Sequence, residues 1–570
     1  MEASVILPES GKRNILVTSA LPYVNNVPHL GNIIGSVLSA DVFARYCRAR
    51  GVNTLFVGGT DEYGASTEAR ALKEGCTCQE LCDRYHVIHA DIYSWFQISF
   101  DIFGRTTTEL HTEITHKIVH KLDENGFLSE RKTLQLYCEE PDHNRFLSDR
   151  FVEGECPKCA FPDARGDQCD HCGRLLDTLD LKSPRCKIDG MTPTRKEASH
   201  LYFGLDKLQD EVGSFVRKAT AASSWSSNSE AITSAALMEG LTAMSITRYL
   251  QWGTAVPLPN HEGKILYPWF DACIGYVSIT ANYTDQWKKW WQNPDQVQLY
   301  QFLGKDNVPF HSVVFPATQI GTRENWTTLH YLSATEYLTY EGEKFSKSRN
   351  VGVFGDSAQA TGVDPDVWRF FLLRHRPEDG DEDFDWESFA EDHTEELVKN
   401  LGGFVSTVME YMCLLYDGTV PDGSEYDEAS FGQFQDHVNE LLRRYNEELG
   451  HARLRSGIGT VLAISRLATE YLLRGVDRSS FAAVIRIAVN IVWLLAAVVA
   501  PYMPSTARRI QQQLGVDSDR LQIPDRWNPN SIKPGHRIGE PVRLFNTINP
   551  EKVCEWRRKF GSKCEVDNST

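Results

Sequence analysis

The sequence has no apolar run long enough to cross a bilayer. Its most hydrophobic stretch, residues 491–500, is about half the length required, and Arg486 and Asn490 precede it. No apolar segment follows the basic residues near the N-terminus, so a signal peptide is not expected. Low-complexity tracts and internal repeats are missing, and 41% hydrophobic, 11% aromatic and 24% charged residues exclude extensive disorder. Positive charge is in deficit: 59 Lys and Arg against 77 Asp and Glu leave a formal net charge of −18. That excludes the broad basic footprint of a non-specific nucleic-acid binder, so any such contact must be local. The candidate stripe is Arg443, Arg444, Arg453, Arg455, Arg466, Arg474 and Arg478, although charge alone favours the solvated face of a helical bundle. The fourteen cysteines are not arranged as a secreted disulfide framework. Four fall in two tight pairs and the rest are scattered, which points to metal plus reduced thiols in a soluble, cytoplasmic protein.

At 570 residues the chain should divide into about three or four modules. Residues 15–20 read as a buried strand entering a turn at Pro22. Leu30, Ile33, Ile34, Val37, Leu38, Val42 and Phe43 then recur at helical spacing as far as Gly51, and residues 53–59 read as a second strand. This β–α–β unit sets Pro28 to Gly31 at a helix N-terminus, facing the carboxyl ends of the strands. Turn residues and paired cysteines interrupt the α/β pattern over 131–200. It resumes with strands at 298–303 and 329–334, and from 395 to about 503 nearly everything reads as amphipathic helix. The last residues read as an irregular arm folding back on the body.

Several segments carry chemistry. His29 and Asn32 place hydrogen-bond donors one helical turn apart, Gly31 lets a nucleotide approach the backbone, and the helix N-terminus favours negative charge. A lone histidine there is more often a cap. Lys344-Phe345-Ser346-Lys347-Ser348 follows Gly342; two lysines and two hydroxyls on a loop suit the transient charge of a departing polyphosphate, while in isolation they read as a solvated basic loop. Cys156, Cys159, Cys169 and Cys172 have the C-x2-C-x9-C-x2-C spacing of a closed structural zinc knuckle. His171 is a lesser alternative ligand. Cys138 and Cys186 stand outside it, each without a paired cysteine, so one structural zinc is expected.

The run from Ala20 to Asn32 and the Lys344–Ser348 motif, in this order around an α/β core with an insertion, resemble the two signatures of class I methionyl-tRNA synthetases of the cytosolic eukaryotic type. The resemblance implies an α/β fold: a Rossmann-like catalytic core with an inserted zinc-knuckle connective subdomain, followed by an α-helical anticodon-binding bundle. It divides the chain into core halves at 1–130 and 201–355, the insert at 131–200, a linker at 356–394, the bundle at 395–540 and an arm at 541–570. By the same resemblance His29, Asn32, Lys344 and Lys347 act in catalysis. ATP, with Mg2+, would contact His29, Gly31, Asn32, Lys305, Asp306, Lys344, Ser346, Lys347 and Ser348. Methionine would contact Leu21, Tyr23, Asp61, Trp269, Ala272, Tyr276 and His311, with Asp61 on its ammonium. Asn400 would face the anticodon of tRNA(Met). The protein would work as a monomer or within a multi-synthetase complex, with no membrane partner.

The sequence departs from that family at three places. Thr247-Arg248-Tyr249 has an aromatic where the family has aspartate, Ser406-Thr407 replaces Asn-Arg in the first bundle helix, and a Pro-Trp segment expected after Tyr471 is missing. The last two concern residues that read the anticodon, so charging with weakened anticodon recognition is an alternative reading. A non-catalytic paralogue is another.

Overall fold

The structure, a computed structural model, describes residues 5–561 apart from 142–143, 149–150, 167–168, 170, 172–175, 177, 347–350, 424–427, 476–480 and 517–520. Its centre is a parallel sheet of five strands, β1 (Asn14–Ser19), β2 (Asn53–Thr60), β3 (Ile102–Arg105), β4 (Val297–Gly304) and β5 (Leu329–Thr335), in the order β5-β4-β1-β2-β3. The inner strands are buried on both faces, which is why they read as continuous apolar runs rather than alternating ones. From β1 the chain passes to β2 on one side, and it returns as β4 on the other. Open α/β sheets bind ligands at the carboxyl ends of the strands where the order reverses in this way.

The segment leaving β1 crosses that point and enters a helix through Leu30–Asn32, a π-helical stretch at Ile33–Leu38 and Ser39–Ala49. Its apolar positions pack into the core. Gly51 at φ +71° supplies the left-handed turn that releases the chain toward β2.

Between β3 and β4 the chain leaves the sheet. Leu128–Cys138 pairs antiparallel with Thr194–Phe203, register Leu128 to Phe203, so the stem of the insert begins before residue 131 and closes after 200. At its far end Ala164–Arg165, Val152–Glu155 and Lys182–Cys186 form a small sheet around the cysteines.

The C-terminal third is helical: Gly403–Tyr416, Glu428–Gly450, Leu454–Gly475, Phe481–Val499 and Pro504–Leu514. Phe481–Val499 corrects one expectation. It is long and apolar enough to span a bilayer, but 83% of its apolar window is buried, as befits the central helix of a bundle. Arg369, fully buried, locks bundle to core: it meets Asp41 at 2.7 Å and donates to the carbonyls of Phe96, Pro501 and Tyr502. The arm is also corrected. It contains a helix, Pro550–Phe560, whose Trp556 and Phe560 pack on Trp386 with ring centroids 5.3 and 6.1 Å away. The Phe560 carbonyl accepts from Gly352 N at 2.9 Å, beside the Lys344–Ser348 motif.

Candidate active site

A cavity of about 460 Å³ opens at the switch point of the sheet. Leu21, Tyr23, His29, Gly31 and Asn32 reach it from the segment after β1, and Asp61 from the end of β2. Trp269, Ala272 and Tyr276 line it from the helices at Pro268–Asp271 and Ile274–Tyr283, and Asp306 and His311 from beyond β4. Periodicity alone would place these aromatics in the core. Yet Trp269 is 38% exposed and Tyr23 36%, and Trp269 is held edge-on against Phe310 at 4.3 Å.

One end of the cavity suits an apolar group with a cationic neighbour. Tyr276 donates to His311 Nε2 at 2.8 Å, and His311 Nδ1–H donates to the Asn307 carbonyl at 2.9 Å. Those two bonds fix the tautomer, and burial pushes the imidazole down to about 4, so it stays neutral. Asp61 is 4% exposed and its amide donates to the Pro22 carbonyl at 2.9 Å. Burial, then the charge of Asp271, drives its carboxyl well above the usual carboxylate range, as fits a group that gains its counter-ion from a ligand.

The other end suits phosphate. His29 and Asn32 form a reciprocal cap: the Asn32 amide donates to His29 Nδ1 at 3.3 Å and the His29 amide to Asn32 Oδ1 at 3.1 Å. His29 Nε2 therefore carries the proton, and burial pushes this imidazole down to about 4. The Phe345 ring stacks on it at 4.6 Å and 6°, which brings the two signature segments together. Lys344 is exposed and does not line the cavity, while Ser346 pairs through its backbone with Val351. Lys347 and Ser348 lie outside the described residues. Lys305 turns to Glu336 at 2.5 Å and Asp381 at 3.2 Å, with its ammonium 4.0 Å from the centre of the Tyr337 ring. Asp306 accepts from the Tyr337 hydroxyl at 2.6 Å.

Sequence reasoning missed Tyr337, Phe310 and His89, which also line the cavity. His89 Nε2–H donates to the Asn26 carbonyl at 3.0 Å and so holds the 20–29 segment. It comes from the helix Cys78–Trp95, whose sequence offers no sign of that task.

Residues 15–409 match a family model described as "tRNA synthetases class I (M)", and 420–565 match "Anticodon binding domain of methionyl tRNA ligase". The chain belongs to the class I methionyl-tRNA synthetases. It is similar to the cytoplasmic methionine–tRNA ligase of Saccharomyces cerevisiae, with 50% identity over 98% of this chain and 75% of the relative. The Homo sapiens cytoplasmic ligase is 47% identical over 98% of this chain and 62% of its own length. A Mycobacterium tuberculosis methionyl-tRNA synthetase solved with methionyl-adenylate shares the fold, with TM-score 0.75, 21% identity, and coverage of 94% of this chain and 99% of that one.

In the insert of this synthetase, Cys156, Cys159 and Cys169 bring their sulfurs within 4.8 Å of one another; Cys172 lies outside the described residues. The Lys158 amide donates to Cys156 Sγ at 3.4 Å. Burial pushes the Cys156 thiol up, but backbone amides from Lys158 and Cys159 outweigh it and the net value falls to about 7. Convergent sulfurs met by amide donors suit a zinc ion. The structure corrects the isolation of Cys138 and Cys186: they meet, with Asp189, in a second cluster of the same compactness, and the Cys138 thiol lies 3.2 Å from Asp189 Oδ2. Tyr249, the departure in the core, stacks on Phe146 of the insert at 4.3 Å.

In the bundle of the synthetase Asn400 sits in a π-helical stretch, His393–Gly402, and donates to Glu396 at 3.1 Å and to the Leu462 carbonyl at 3.3 Å. The arginine stripe is largely ion-paired: Arg443 with Glu440 and Glu447, Arg444 with Glu448, Arg455 with Glu382, Arg466 with Glu396, and Arg474 with Glu470. The exposed pairs of Arg443 and Arg474 are worth about 0–1 kcal/mol each, so phosphates can displace them, whereas the carboxylates of Glu448 and Glu396 are buried. Arg478 lies outside the described residues.

Proposed function

We propose that the cavity binds methionine at its Trp269–Tyr276–His311 end and the adenosine triphosphate beside His29, Asn32 and Asp306. The chain is a methionine–tRNA ligase of the cytoplasmic type, and this assignment of roles says how its residues perform the reaction. The observation that carries it is Asp61, a buried carboxylate with no cation beside it among the described residues, at the junction between an aromatic pocket and a helix N-terminus.

Asp61 takes the substrate ammonium, which leaves the substrate carboxylate directed at the α-phosphorus of Mg-bound ATP. A carboxylate oxygen attacks that phosphorus and the bond to the bridging oxygen of the β-phosphate breaks. Pyrophosphate leaves and methionyl-adenylate forms, with no covalent enzyme intermediate. Charge building on the phosphoryl oxygens meets the neutral Nε2–H of His29, the Asn32 amide group, and Lys344 and Lys347. The terminal ribose of tRNA, through its 2′-hydroxyl, then attacks the acyl carbon and AMP departs. Aromatic rings around a thioether contribute sulfur contacts of about 0.3–1.5 kcal/mol, which help to discriminate against a shorter side chain. One structural zinc held by Cys156, Cys159, Cys169 and Cys172 would fix the tip of the insert.

The missing Pro-Trp segment after Tyr471 and the change at Thr407 favour a synthetase that positions the tRNA but reads its anticodon weakly. Steady-state kinetics test the roles: Asp61→Ala should raise KM for methionine far more than for ATP. Lys347→Ala should slow adenylate formation with methionine affinity nearly unchanged. A Lys347→Ala variant that loses methionine affinity instead would contradict the assignment.

A further inference from the structure

Behind the cavity wall lies a second carboxylate, outside the set of residues assigned above. Asp271 ends the short helix that carries Trp269; it is 2% exposed and does not line the cavity. Thr254 Oγ1 donates to its Oδ2 at 2.9 Å. His111 Nε2 stands 3.5 Å from the same oxygen, too far for a good hydrogen bond, while its Nδ1 meets Ser278 Oγ at 3.0 Å. Glu62, next to Asp61 and equally buried, is treated differently: Arg105 Nε reaches both of its oxygens, at 3.0 and 2.9 Å. Of three buried carboxylates around the end of β2, one is therefore neutralised by arginine and two, Asp61 and Asp271, have no arginine or lysine bound among the described residues. Uncompensated buried charge is costly, and its retention beside a cavity points to a cationic ligand.

We propose that Asp271 is a positioning residue for the amino-acid substrate: buried at the end of the helix that carries Trp269, its charge deepens the negative potential where the ammonium lies and so selects a protonated amine. The proposal rests on the reading that Asp61 holds the ammonium. Its charge also raises the Asp61 carboxyl, after the larger effect of burial. The other groups acting there are Glu62 and Tyr63 from the same segment and Cys273 and Tyr276 from the following helix, with His311 neutral across the cavity. Methionine binding should therefore fail as pH falls through the raised Asp61 value, because the protonated carboxyl no longer attracts the ammonium.

The test is binding of methionine and of its deamino analogue, 4-methylthiobutanoate, to the full chain across pH 6–9. In Asp271→Asn, methionine should weaken about tenfold at high pH, the analogue should be held as well as before or better, and the acid limb for methionine should move to lower pH. Equal weakening of both ligands, or an unmoved acid limb, overturns the proposal. Asp271→Glu, which keeps the charge, should retain the preference for the amine; its loss there would also overturn the proposal, and this variant serves if Asp271→Asn does not fold. Asp61→Asn separates the two readings. If it leaves methionine binding intact, the ammonium site itself is misplaced; if it abolishes binding while Asp271→Asn does not weaken it, only Asp271 is misread.

Discussion

His89 and His311 are held neutral inside the molecule, 1% and 5% exposed, and burial pushes both imidazoles down to about 4. In the unfolded chain their values return to near 6.5, so the unfolded state binds the protons first. The stability carried by the neutral rings is complete above pH 6.5 and is lost as pH falls from there toward 4, at up to about 1.4 kcal/mol per pH unit for each ring. Thermal midpoints measured between pH 7 and 5 should fall with acid, and His89→Gln should make that slope shallower. An identical slope in the variant would contradict the account. At this scale the motifs picked out His29, Asp61 and Trp269, which do line one cavity. The sequence was silent where the task depends on a distant partner. Nothing local marks His89 as the donor to Asn26, or Tyr337 as the donor to Asp306.

The π-helical stretches Ile33–Leu38, Phe310–Val314 and His393–Gly402 adjoin or contain Asn32, His311 and Asn400. A π turn re-aims side chains and is frequent at functional sites, but its residues read as ordinary helix, so this feature was not legible. The strands β1, β2, β4 and β5 were, because burial leaves continuous apolar runs, whereas the edge strand β3 (Ile102–Arg105), only half-buried, was not. The C-terminal helix was not, since Pro550–Phe560 is short and mostly polar and gains its stability from docking Trp556 and Phe560 on Trp386. Trp556→Ala removes a ring that is 5% exposed, a loss of about 3–5 kcal/mol for such sites. That exceeds what a lone eleven-residue helix can supply. The variant should be cut by protease within 540–561 while the rest of the chain survives, and adenylate formation should slow, because Gly352 loses its partner on Phe560. Unchanged protease resistance would show that the helix is held by other contacts.

For the whole molecule, Arg369 ties core to bundle through Asp41 and the carbonyls of Pro501 and Tyr502. Positioning contacts to phosphate carry no sequence information, and the arginines of the bundle can supply them. Base stacking on an aromatic is worth about 1–3 kcal/mol per base, and no Pro-Trp segment follows Tyr471 in the sequence. Charging of methionine tRNA should persist, but at fixed salt a single anticodon change should cost no more than roughly two orders of magnitude. A loss of several thousandfold would mean that other side chains have replaced the tryptophan.

The central claim is that the cavity at the switch point is built for methionine. Exchange of labelled pyrophosphate into ATP by the purified full chain tests it without tRNA and without a variant. Exchange should depend on methionine and stay at background with leucine, isoleucine or valine; equal exchange with leucine would contradict the pocket.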